Sequence, residues 1–201
     1  MNGLAMLYVA QGRFDEAEPL LLKVLDIESL VLGQEHPDTL DTMNALGTLY
    51  TIQGRYEQAE KLLTDALEIG RLTLGDEHPS TLTSMDSLAW LYSQMGRRND
   101  AESLLVDALQ GRRLVLGDAH PDTLESMHRL ALLYTALGRY AEAEPLLIKA
   151  VEGRREMLGE THPDTLDSTS KLVTLYETWG KPEQAKQWRA KLPAEQGTEK
   201  Q

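Results

Sequence analysis

The chain has 201 residues, no cysteine, 41% hydrophobic residues and a formal net charge of −12, from 20 Lys and Arg against 32 Asp and Glu. That charge has the wrong sign for a protein that gains affinity by neutralising phosphates, so nucleic acid and anionic membrane surfaces are not expected partners. The missing thiols exclude a disulfide framework, a thiolate zinc site and a cysteine nucleophile; no apolar run approaches the roughly 18 residues of a membrane helix, and the start lacks signal-peptide features, so a cytoplasmic location is expected.

Taken in chain order, the sequence falls into units marked by three ladders of one period. His-Pro segments begin at His36, His78, His120 and His162, always 42 residues apart. Gly-Arg turns at Gly12, Gly54, Gly96 and Gly138, with Gly-Lys at Gly180, keep that spacing, as does Leu-Gly at Gly33, Gly75, Gly117 and Gly159. The first unit, about 1–35, starts inside a helix without a His-Pro segment, and a preceding segment is expected there. In the second, 36–77, Leu40, Met43, Leu46, Leu49, Tyr50 and Ile52 form one helical stripe from Thr39 to Gln53. Pro37 suits a first helical position and Asp38 faces the helix dipole favourably, while Gly54 stops the helix. From Tyr56, a second stripe of Ala59, Leu62, Leu63, Ala66, Leu67 and Ile69 runs to Leu74, where Gly75 is expected as a left-handed cap. The short turn makes the two helices antiparallel.

Units 78–119 and 120–161 repeat this pattern. The fifth, 162–192, keeps Tyr176, Gly180 and Ala185 but places Arg189 at an apolar position, among Lys186, Gln187 and Lys191. Such a polar outer face is what a terminal repeat needs. Residues 193–201 are polar and expected to be disordered.

These units resemble the tetratricopeptide repeat family, whose signature is a small residue, an aromatic, a turn glycine, then Ala, a bulky apolar residue and Ala. Gly47, Tyr50, Gly54, Ala59, Leu63 and Ala66 stand at those offsets, as do Ala89, Tyr92, Gly96, Ala101, Leu105 and Ala108, and Ala131, Tyr134, Gly138, Ala143, Leu147 and Ala150. The family repeat is about 34 residues, and the 42 here are similar to the longer repeats of kinesin light chains. The resemblance implies an all-α fold, a right-handed superhelical solenoid of antiparallel helix pairs. The ending WGKPEQAKQWRAKLP resembles repeat tails that follow kinase domains in some bacterial proteins.

Catalysis finds little support. No G-x-S-x-G, phosphate-cradling glycine loop or HExxH is present, and no enzyme activity, cofactor or metal is expected. Histidines on stacked repeats stand about 10 Å apart, whereas zinc ligands converge within about 2.1 Å of the ion. A structural role at the connection follows, with each imidazole hydrogen-bonded to backbone; Thr39, Thr81, Thr123 and Thr165 read as helix-start residues of the same turn. Asp15, Glu16, Glu18, Glu57, Glu60, Glu142 and Glu144 sit at second-helix starts, and Arg71, Arg112, Arg113, Arg154 and Arg155 near second-helix ends, where the dipole favours each sign. Gly70, Gly111 and Gly153 inside those helices cost about 1 kcal/mol each relative to Ala, so bending or close packing is expected there.

The resemblance also implies a binding groove lined by the first helices, with positions five and nine of each repeat facing it. Those are Asn44 and Thr48, Asp86 and Trp90, His128 and Leu132, and Ser170 and Thr174, with Asn2 and Met6 in the first unit. They vary where core positions repeat, as in a fixed scaffold displaying a variable site. Trp90 stands where the other units carry Met6, Thr48, Leu132 and Thr174, and with His128, Arg129 and Leu132 it suggests an apolar platform ringed by polar groups. Asp41, Asp86, Glu125 and Asp167 make the groove acidic. The expected partner is therefore a protein or peptide, held as a peptide or helix with an apolar anchor and basic flanks. The alternative is a regulatory or substrate-docking tail of a larger signalling enzyme such as a bacterial Ser/Thr kinase. Self-association is also expected through Leu4, Leu7 and Leu21 of the first unit.

Overall fold

The computed structural model describes residues 2–193, and of Asn2 and Met6 the backbone alone; Met1 and residues 194–201, with nearly all of the expected disordered tail, lie outside the described residues. All the described elements are α-helices: α1 (Asn2–Ala10), α2 (Phe14–Val31), α3 (Pro37–Ile52), α4 (Tyr56–Thr73), α5 (Pro79–Gln94), α6 (Arg98–Leu116), α7 (Pro121–Ala136), α8 (Tyr140–Leu158), α9 (Pro163–Thr178) and α10 (Pro182–Arg189). The two helices read from the second unit are α3 and α4.

Local chemistry fixes the helix ends. His36, His78, His120 and His162 are extended N-cap residues, each followed by proline in the first turn. The Nδ1 of each accepts the backbone N–H two residues on, at 3.2 Å in every case. The imidazole thus takes the part that Ser or Asp plays at other helix starts. Thr39 completes the turn by donating its hydroxyl to the Gly33 carbonyl at 2.8 Å. At the other end, Gly75 has φ of +93° and its N–H reaches the Gly70 carbonyl at 3.0 Å, closing α4 with a left-handed residue.

The turn between paired helices holds an arginine over a ring. Arg13, Arg55, Arg97 and Arg139 place their guanidinium carbons 4.1, 4.0, 3.9 and 4.2 Å from the ring centroids of Tyr8, Tyr50, Tyr92 and Tyr134. This explains why arginine follows the turn glycine: it stacks on the signature aromatic five residues earlier.

The chain groups into two compact units, Met1–Val115 and Leu116–Gln201. In the first, Leu21, Leu46, Leu49, Leu63, Leu82 and Leu91 are fully or almost fully buried in one core. Leu21 therefore does not belong to an uncovered apolar face as expected; it lies in the core where α2 packs on α1 and α3. Arg55 donates to both carboxylate oxygens of Glu18 at 2.8 and 2.7 Å, and Arg97 reaches Glu60 at 2.5 Å, so acids expected only to face helix dipoles also tie successive helix pairs. A Cβ on Gly111 would lie 2.6 Å from Leu82 Cδ2, the close packing expected of that glycine.

The second unit has its own core, with Met127, Leu147, Leu172 and Leu175 fully buried. Gly153 lies against Leu124 as Gly111 does against Leu82, again with 2.6 Å to a virtual Cβ. Glu144 accepts the Tyr176 hydroxyl at 2.7 Å and stands 3.9 Å from Lys181 Nζ. On α10, Ala185 is buried against α9 while Lys186, Gln187 and Arg189 are exposed.

Candidate functional site

The predicted groove residues divide by position. In the first unit Asn44 is buried and its Nδ2 donates to Ser84 Oγ at 2.9 Å, joining α3 to α5. Asp86, also buried, accepts from Arg112 of α6, itself buried. Thr48 and Trp90, one turn further along α3 and α5, are half-buried and keep accessible surface.

In the second unit His128 of α7 is buried, with Nδ1 3.1 Å from Ser168 Oγ of α9 and Nε2 3.4 Å from Asp167. Arg154 of α8 donates to Ser168 Oγ at 2.5 Å, to the Asp164 carbonyl at 3.2 Å and to Glu125. Ser168 Oγ thus stands between the Arg154 guanidinium, from which it accepts, and His128 Nδ1, while Nε2 faces the Asp167 carboxylate. Burial pushes the His128 pKa down, and Arg154 pushes it the same way against Glu125 and Asp167. For Glu125, burial alone would raise the pKa, but Arg129 and Arg154 hold it below the ordinary carboxylate value. Arg129 and Leu132 are half-buried; Ser170 and Thr174 of α9 are exposed.

Position five is thus a seam between helices: Asn44, Asp86 and His128 are spent on interhelical bonds and do not line an open wall as expected. The reason is steric. Asn44 and His128 lie against the next first helix within their own units and Asp86 against α6, and a polar side chain there must find a partner once water is excluded. The acid lining changes too, since Asp86 and Glu125 have guanidinium partners and Asp167 has Lys171 at 4.0 Å. Asn2 and Met6 have no described side chains.

Arg112 and Arg154, read from sequence as surface cations near helix ends, are the residues most misplaced by that reading. The register gave no signal for this, since the same position holds Glu28 and Gly70 in the first two repeats. The ladder histidines are spread over separate helix starts, and among the described residues no cluster of three or more His, Asp or Glu could hold a metal ion. No described helix is long and apolar enough to cross a membrane.

Models of the tetratricopeptide repeat match residues 1–71, 49–113 and 123–164. The chain belongs to the tetratricopeptide repeat family. Its 42-residue repeats are of the kinesin-light-chain kind: the nearly identical TPR-like repeats of a candidate kinesin light chain from Podosopora anserina are 33% identical, with 94% of this chain and 90% of that one covered and a TM-score of 0.76. BtubC (BKLC) from P. vanneervenii shares the fold at 24% identity, 93% and 77% coverage and a TM-score of 0.77. A Rap protein complexed with competence and sporulation factor shares it at 16% identity, 92% and 50% coverage and the same TM-score of 0.77. Among curated proteins none matches the chain. A tetratricopeptide array of this kind is a protein-interaction scaffold.

Proposed function

We propose that each unit binds a peptide or partner helix along its own first helices, with Trp90 as the principal contact in the first unit and, for the second unit taken by itself, Arg129, Leu132, Ser170 and Thr174. One observation carries this reading. Trp90 is half-buried on α5, where its register equivalents are Thr48, Leu132 and Thr174, so repeat packing does not itself demand an indole. Asp86, one turn earlier on α5, is already paired with Arg112. Large aromatics in such settings are frequent hot spots.

The partner that suits this surface carries an apolar anchor. Basic flanks are supported by the net charge of −12, and locally by the exposed Asp41. A docking tail of a larger signalling enzyme would use the same residues and differ only in whose segment fills them. The acidic balance also supports a protein that does not take nucleic acid or an anionic membrane surface as partner.

The test compares binding and melting of Trp90→Ala, using a partner captured from the native cell. The expected result is an affinity loss above about 2 kcal/mol, roughly 30-fold, with little change in melting temperature. Unchanged affinity together with marked destabilisation would place Trp90 in the scaffold and overturn the reading.

A further inference from the structure

The second helices carry more apolar surface than their cores use. On α4, Ala59, Leu63, Ala66, Leu67 and Gly70 face inward and are buried. Leu62, Ile69 and Leu72 form a second apolar line at steps of seven and three, and Leu72 is 87% exposed. Both α2 and α4 pack on α3, and between them opens a cavity of about 380 Å³ with Leu25 on one wall, Leu62 and Ile69 on the other and Met43 of α3 at its floor. That volume falls within the roughly 300–1,000 Å³ of sites that accept a ligand.

Within the first compact unit, the 42-residue register gives a different rim one repeat later. One repeat later, Ser29 and Gln34 of the rim become Arg71 and Asp76, which pair at 3.0 Å, and Ile69 becomes Gly111, against which Leu82 closes. Leu25 is half-buried where its equivalent Leu67 is buried. The rim here is acidic: Asp65 and Glu68 line the cavity from α4, both exposed, and neither forms an ion pair with a described cation. At the next repeat Glu68 is replaced by Gln110. Apolar walls between helices with unmatched carboxylates on one edge complement an amphipathic cationic helix, in which apolar side chains at steps of three and four enter the slot and Lys or Arg lie along α4.

We infer that the groove between α2 and α4 is a second docking surface, on the opposite helix of each pair from the first-helix surface, and that it takes an amphipathic helix of a partner protein with an apolar stripe flanked by lysine or arginine. It does not depend on Trp90.

The test uses the full chain labelled with methyl-¹³C methionine. Met43 reports the groove floor, while the buried Met85 and Met127 report the intact fold. The probe is a synthetic helix of about 18 residues, five turns, with leucines at steps of three and four and lysines on both flanks; a control carries glutamates in place of the lysines. The expected result is a saturable shift of the Met43 methyl with the lysine probe, at least about 10-fold weaker binding of the glutamate control, and a similar loss for the Asp65→Lys, Glu68→Lys double variant. Trp90→Ala should leave the titration unchanged, so the two proposed surfaces fail or stand separately. The inference is overturned if Met43 shows no saturable response, if both probes bind alike, or if charge reversal has no effect. A Met43 shift that grows with protein concentration and no probe would assign the groove to a second copy of the chain and likewise overturn it.

Discussion

Protonation of His128 would place a cation between α7, α8 and α9, where Arg154 and Arg129 already stand and Glu125 and Asp167 only partly offset them. Burial is the larger cause of its lowered pKa, so the folded protein resists a proton that the unfolded chain takes up near the ordinary value of 6.5. Over the interval from 6.5 down to the lowered folded value the unfolded state binds more protons, and stability falls as pH falls. Urea unfolding of the wild type and of His128→Gln, each measured at several pH values from about 7.5 to 5.5, should show a steeper loss in the wild type. Parallel pH profiles would mean that His128 titrates alike in both states. The four cap histidines act differently, through one accepted backbone bond each, of the kind whose loss at a helix N-cap costs about 0.5–2 kcal/mol.

Between α5 and α6 the decisive contact is the buried pair of Asp86 and Arg112. Removing one partner of such a pair strands the other charge and typically costs about 3–5 kcal/mol, whereas replacing both by apolar groups of similar volume is often close to neutral. Asp86→Leu and Arg112→Met should therefore each lower the urea midpoint sharply, and the double variant Asp86→Leu, Arg112→Met should recover most of the loss. Additive losses would show that each side chain acts through other contacts. The cycle also separates the seam from the binding surface, because Trp90 lies a turn away on α5 and should keep its partner in the double variant.

Across the molecule as a whole, charge and exposed apolar surface pull in opposite directions. A net charge of −12 favours separated chains. Yet α1 turns Ala5 inward and leaves Leu4 and Leu7 47% and 52% exposed, and Leu22 of α2, which packs on α1, is 40% exposed. Those side chains form an apolar edge that a second copy can cover. We predict concentration-dependent association by light scattering, stronger at high salt where charge repulsion is screened and weaker in a Leu4→Gln, Leu7→Gln variant. A strict monomer at all salt concentrations, with the variant indistinguishable, would refute it.

The repeat, the helix pairs, their caps and the family were legible in the sequence, because each depends on residues close in the chain recurring at one period. His36 to Pro37 marks the start of α3, and Gly75 the end of α4, by backbone chemistry alone. What the sequence could not rank was the use of side chains at the seams. Asn44, Asp86 and His128 looked like variable groove residues, and Arg112 and Arg154 like surface cations, because variability and helix position are the only signals available without neighbours. Packing decided otherwise. Once one helix covers the next, each polar group there loses water and must be matched across residues 26 to 40 positions apart. The slot between α2 and α4 likewise exists only in three dimensions, where Ser29 and Gln34 leave open what Arg71 and Asp76 close one repeat later.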